Sequence, residues 1–449
     1  MSERVDVLVV GGGMAGLGCA RRLAAAGLSV AVVEARDRPG GRIHTLRPPG
    51  ATLPVELGAE FIHGTPAGLL ALCAEAGVDT VPAADGRWRA TPEGLRPAPW
   101  YEDDLDRVLD ALDAHRTPDR SFADFLAEWA RAHPGRDDAV QRACGFVEGF
   151  HAADPARASE RALAHEMAAT EAEGGMESRR IPAGYDRLVH WLGAQLGGRG
   201  RVLLGTAARE LRWAEGDVTL RTTRGDGQAG PELRARAAVI TLPVAVLQAA
   251  PGEPGAVRLD PPLAEKADAL GSLALGAARR VVLHFATRPW DDDALRAPGV
   301  RAHPRELGFL QAEDAAIPIW WTAAPLPAPV LVGWLGGPRA ARLAGTPDAE
   351  VQAQAVETLA ACLRLPVDAV RAQLRGAYTY DWCADPYARG AYSYALVGAD
   401  DARERLARPV AGTLFWAGEA THSGSAGTVH GALASGERAA REVLARLRR

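Results

Sequence analysis

Gly11, Gly13 and Gly16, with Glu34 behind them, are the first residues whose types and spacing could do chemistry, and that chemistry is phosphate and ribose binding. Gly11 permits a tight turn, Gly13 lets the backbone approach a pyrophosphate, and Gly16 lets a helix pack against a strand. A helix opening there offers unpaired N–H groups and the positive end of its dipole to the phosphates. Glu34 follows about 20 residues on, where a carboxylate accepts ribose hydroxyls. An acid in that place, without a pair of basic residues, disfavours a 2′-phosphate. The elements that must hold these residues are legible around them. Residues 5–10 are a β-branched apolar run and read as a buried parallel strand. An Ala/Leu-rich helix then closes at Gly27, and a second apolar strand over 28–33 ends in Glu34. Strand, GxGxxG, helix, strand and acid in that order predict a dinucleotide site; in a chain with 49 glycines the glycines alone would say little.

Ala35 and Arg36 lead into Gly40-Gly41-Arg42, where two glycines and a guanidinium can meet a second phosphate. Taken alone, Arg42 reads as a solvated surface arginine. Four more motifs follow: Leu57-Gly58-Ala59-Glu60-Phe61-Ile62-His63-Gly64; Val239-Ile240-Thr241-Leu242-Pro243; Trp382-Cys383-Ala384-Asp385 running to Ala391-Tyr392; and Phe415-Trp416-Ala417-Gly418-Glu419, with Gly427-Thr428-Val429-His430-Gly431-Ala432 opening a long amphipathic helix. Together they resemble the flavin-dependent amine oxidase superfamily, nearest its polyamine- and spermine-oxidase-like branch.

The resemblance implies FAD and an α/β fold class: a discontinuous Rossmann-type (glutathione-reductase-like) FAD-binding domain over 1–80, 180–255 and 385–449. A mixed-sheet plus helical substrate domain would take 81–179, a helical lobe, and 256–384. It implies cofactor contacts at Gly11, Gly13, Gly16, Glu34, Ala35, Arg36, Gly41, Arg42, Gly58, Ala59, Glu60 and Phe61. Further contacts would come from Ala207, Thr241, Pro243, Trp382, Gly418, Glu419, Thr428 and Val429. His63, Tyr392 and Thr428 would stand at the reacting centre; without the family His63 reads as a structural histidine, and the alternative for Tyr392 is a core tyrosine with a bonded hydroxyl. Phe61 occupies the place where amino-acid oxidases of the superfamily carry a carboxylate-binding arginine, and an apolar ring cannot make that pair. Ala391 stands where flavin-linking members carry cysteine, so FAD is expected to be non-covalent.

One departure bears on the chemistry. Where the family carries a lysine that holds a water at flavin N5, this chain has Arg280, and Lys266, its one lysine, lies fourteen residues upstream. Arginine still donates to a water but stays protonated. The expected activity is hydride removal from the carbon next to the nitrogen of a polyamine or other primary or secondary amine, giving an imine and then an aldehyde, with O2 reduced to H2O2. The alternative, raised by Arg280, is a flavoenzyme on the same scaffold acting on a non-amine metabolite. Among Glu148, His151, Glu166, Glu171 and Glu173 in the helical lobe, one or two could receive a distal ammonium; the others read as solvated charges.

Composition sets the outer bounds. The 449 residues suggest two or three domains, with 47% hydrophobic and 24% charged side chains, which excludes disordered and disulfide-scaffold classes. A formal net charge of −5 supplies no field for nucleic acid or anionic membrane. Five scattered cysteines without a CxxC give no metal framework and fit a reducing compartment. With no signal-like start and no run of about 20 apolar residues, a cytoplasmic protein is expected, monomeric or homodimeric, with an amine and O2 as its small-molecule partners.

Overall fold

The short β-branched runs form the centre of the molecule because both of their faces can be buried. In a computed structural model describing residues 3–98, 103–175, 177–399 and 401–448, the strands Val7–Val10 and Val30–Val33 have every residue buried. They lie in a five-stranded sheet, all parallel, in the order Gly200–Leu203, Val30–Val33, Val7–Val10, Ala237–Ile240, Leu414–Trp416. The helix Met14–Ala25 joins the first two strands in sequence, and Gly27 just past its end takes φ +92°. The C-terminal helix Val429–Leu447 packs on it closely enough that a Cβ at Gly436 would sit 2.1 Å from the Ala15 carbonyl oxygen. The strand that carries Val239 ends at Ile240, and Pro243 precedes the short helix Val244–Leu247. Proline has no N–H for the ladder, and its fixed φ suits a helix start.

A second sheet of seven strands faces the first across the central cavity. Its order is Leu374–Thr379, Ala278–Phe285, Val330–Gly336, Ile319–Thr322, Phe309–Gln311, Arg87–Thr91, Gly94–Pro97. Alternation along Ala278–Phe285 sends Val281, Leu283 and Phe285 into one apolar core with the helix Asp348–Leu363. Arg280 and Val282 face the other way, towards Trp321, whereas Arg279 pairs with Asp348 and Asp381 at 2.6 and 2.9 Å. The same period divides a tryptophan pair: Trp320 is core and donates to the Ile317 carbonyl, while Trp321 lines the cavity. The helices Asp103–Asp110, Phe122–Ala132, Asp137–Phe150 and Glu160–Ala172 form a helical lobe with its own core.

Candidate active site

A cavity of about 1010 Å³ lies between the parallel sheet, the seven-stranded sheet and the helical lobe. Every residue named from the sequence as a site residue lines it, except Gly16. Gly16 instead holds the helix against the first strand: a Cβ there would stand 2.0 Å from the Gly11 carbonyl oxygen. Gly11 has φ +112°, a region closed to most side chains, and Gly13 meets only a carbonyl at 3.8 Å. The turn is thus tight and the helix start open, as a pyrophosphate requires. Glu34 is buried at the end of its strand, accepting from Gly12 N at 2.9 Å and Arg36 N at 3.0 Å, with further lone pairs facing the cavity.

Arg36 is held by Asp385 at 2.7 Å, and Tyr380 and the Tyr387 N–H also donate to that carboxylate. Burial works against the Arg36 charge, but Asp385 and Glu34 outweigh it and raise its proton affinity. Asp385 and Tyr380 were not singled out from the sequence. Their signal was faint: one acid in the segment that carries Trp382.

Several assigned side chains prove committed to their neighbours. Glu419 is buried and accepts from Arg42 at 3.0 Å, Ser393 Oγ at 2.7 Å and Gly427 N at 3.0 Å. Burial alone would raise its pKa, but Arg42, Arg403 and Ser393 hold it below the ordinary carboxylate range. Arg42 also donates to the Ala391 carbonyl, so Glu419 and Arg42 tie the C-terminal motif to the GGR segment. Thr428 caps Val429–Leu447, accepting from Gly431 N at 2.9 Å and donating to the Ser425 carbonyl at 2.7 Å. Its hydroxyl is therefore spent on presenting the helix N-terminus to the cavity. Thr428→Ala should lower stability by about 1 kcal/mol, read as a shift in the denaturation midpoint. Trp382 donates to the Leu57 carbonyl at 2.8 Å. Thr241 Oγ donates to the Val10 carbonyl at 2.9 Å, joining two strand ends at the cavity edge.

The reacting end is aromatic. Phe61 lies 5.5 Å from Trp321 and 5.8 Å from His63, which lies 5.6 Å from Phe150. Tyr392 donates to the Phe150 carbonyl at 2.8 Å, and burial raises its pKa. Burial, with His430 nearby, pushes the His63 pKa down to about 4, so its imidazole is neutral through the physiological range. Behind the aromatics sits an ion cluster. Glu60 bridges Arg180 at 2.9 Å and Arg280 at 3.0 Å and accepts from Trp321 Nε1 at 3.0 Å. Arg280 also donates to the Glu56 and Gly58 carbonyls, both at 2.8 Å. Its Nε is buried with no partner in the protein. Lys266, by contrast, donates to the carbonyls of Arg405, Leu406 and Arg408, closing the end of the helix Ala402–Ala407.

Glu56, beside this cluster, accepts from Tyr185 N and Thr45 Oγ, and burial pushes its pKa up to about 7. Its ordinary value is 4.5, so the folded protein binds this proton more tightly than the unfolded chain. The stability linked to Glu56 is therefore greatest at acid pH and is lost as pH rises from about 4.5 through about 7. Glu56→Gln should melt higher than the parent well above that window, by up to about 3 kcal/mol, and show no such gain below it.

Comparison with known proteins agrees with this geometry. The profile of the family of flavin containing amine oxidoreductases matches residues 14–444, and the chain belongs to that family. It is 29% identical to polyamine oxidase 1 of Oryza sativa subsp. japonica over 99% of this chain and 98% of that protein. It is likewise 29% identical to putrescine oxidase of Kocuria rosea, over 98% and 95%. A putrescine oxidase structure bound to putrescine superposes with a TM-score of 0.80 at 20% identity, over 99% of this chain and 100% of that one. The protein is thus a flavin-containing amine oxidoreductase. Among the described residues no helix is long and apolar enough to cross a membrane.

Proposed function

We propose that the protein is an FAD-dependent oxidase of an amine, using O2 as acceptor. The observation that carries this reading is the continuity of one cavity from the glycine turn and Glu34 to the aromatic end at Phe61, His63 and Tyr392. The strands of the parallel sheet fall within 1–80, 180–255 and 385–449, which supports a Rossmann-type FAD domain assembled from those three stretches. Those of the seven-stranded sheet fall in 81–179 and 256–384, as a separate substrate unit would require.

The residues present fit FAD. The open turn at Gly11–Gly13 and the helix start at Met14 would take the pyrophosphate, Glu34 the ribose, and the capped start at Val429 the flavin end. FAD held there would supply a hydride acceptor for the carbon beside the amine nitrogen and a route for the electrons to O2, giving H2O2. A second helix N-terminus at that end stabilises negative charge. Ala391 offers no thiol, so the cofactor would be held without a covalent link.

For the substrate, Tyr392 and Phe61 wall the reacting end and exclude water. A buried, aromatic site favours the neutral amine, whose lone pair must assist bond breaking. His63 stays uncharged and adds no repulsion. Arg280 lines the cavity and its Nε has no protein partner while the rest of the side chain is fixed, which supports a role for this residue in holding a water. Water hydrolyses the imine so formed to an aldehyde or ketone, releasing ammonia from a primary amine and a smaller amine from a secondary one.

Arg280→Lys tests that assignment. The variant should keep its FAD and change the rate of reduction or reoxidation by roughly tenfold, because one ammonium cannot keep the three contacts of the guanidinium and hold a water as well. Rates indistinguishable from the parent would remove Arg280 from the reacting centre.

A further inference from the structure

The buried carboxylates that line the substrate end already have partners. Glu60 is shared by Arg180, Arg280 and Trp321. Glu148 faces Arg339 at 3.4 Å, Glu166 faces Arg403 at 3.1 Å and His151 at 3.4 Å, and Glu313 faces Arg89 at 3.3 Å. Glu173 is engaged by His430 at 3.2 Å and Ser425 at 3.0 Å. The remaining carboxylates on this side are exposed at the rim, where water screens them.

The aromatic faces are engaged too. The Arg180 guanidinium lies 4.8 Å from the Phe61 ring, and that of Arg280 lies 5.2 Å from Trp321 and 5.9 Å from Trp334. An ammonium carried into this end would meet Arg280 and Glu60 at the wall, with Arg180 behind Phe61 making the cluster two guanidiniums to one carboxylate, and three rings that already hold a cation. Burying it there without a partner is costly, whereas an apolar chain or ring gains from the same walls.

We propose that the substrate is an amine with a single nitrogen and an uncharged aryl, cycloalkyl or alkyl remainder, and that the Arg180–Glu60–Arg280 cluster discriminates against di- and polyamines. This rests on the amine-oxidase reading and narrows it; the distal ammonium expected at the helical-lobe acids has no unpaired buried carboxylate to receive it among the described residues.

The test compares hexylamine with hexamethylenediamine, which differ by one terminal amine, as kcat/KM on the FAD-loaded enzyme. Hexylamine should be favoured by at least about tenfold at neutral pH, with the gap closing as pH rises and the second amine loses its charge. Arg180→Gln, which leaves Glu60 paired with Arg280 alone, should shift the ratio towards the diamine through KM. Equal or better use of the diamine by the parent enzyme would overturn the proposal while leaving amine oxidation intact. Oxidation of neither amine nor of any other would instead overturn the reading beneath it. If Arg180→Gln fails to fold, the parent ratio and its pH trend decide alone.

Discussion

Glu60→Ala is expected to destabilise the protein by about 3–5 kcal/mol, the usual result of removing one partner from a buried ion cluster. Arg180 and Arg280 are both nearly inaccessible, and Glu60 is the carboxylate that pairs with each. Burial already lowers the proton affinity of both guanidiniums, with Glu60 opposing that effect. Without it, two like charges face each other in a dry, aromatic setting, and Trp321 Nε1 loses its acceptor. The expected result is a large fall in melting temperature together with loss of amine turnover. Replacing Arg180 with methionine in the same chain should restore much of the stability, because one of the two stranded charges is then gone. Chemical denaturation of the two variants beside the parent checks this. A single variant within 1 kcal/mol or so of the parent would mean that Glu60 does not hold the cluster together.

Gly16→Val should yield protein that lacks FAD. A Cβ at this position would overlap the Gly11 carbonyl at 2.0 Å and press on Val9 Cγ1 at 3.1 Å, so the helix must move off the strand. The N–H groups at its start would then no longer face the turn. Overpacking of this kind costs on the order of 3 kcal/mol, and the displaced helix start removes the pyrophosphate site as well. The purified variant should be colourless, and added FAD should not raise its melting temperature. A yellow variant of normal stability would contradict the placement of the cofactor on this turn.

The glycine turn, Glu34 and the motifs at Gly58, Tyr392, Glu419 and Thr428 were legible because they answer local demands of the backbone. A tight turn, a strand end or a helix start has a signature a few residues long. Arg280 was found by counting along a strand, and alternation in that strand explains why it and not Arg279 faces the cavity. What escaped was the pairing. Glu60 with Arg180 and Arg280, Asp385 with Arg36, and Glu173 with His430 join segments far apart in the chain, and spacing carries no mark of them. One sign was available: two adjacent arginines inside an otherwise apolar strand each need a buried partner. The same blindness hid how Thr428 and Glu419 are held at the cavity wall, their polar atoms bound to neighbours that they position.

The central claim is that one cavity holds FAD beside an amine. Anaerobic stopped-flow absorbance of the FAD-loaded protein tests it most directly, with primary amines of several shapes as probes and amino acids as controls. Rapid bleaching of the flavin band by an amine, with recovery on admitting O2 and release of H2O2, is the result predicted. A protein that keeps its FAD and is bleached by none of the amines would contradict the account and return the site to a non-amine substrate.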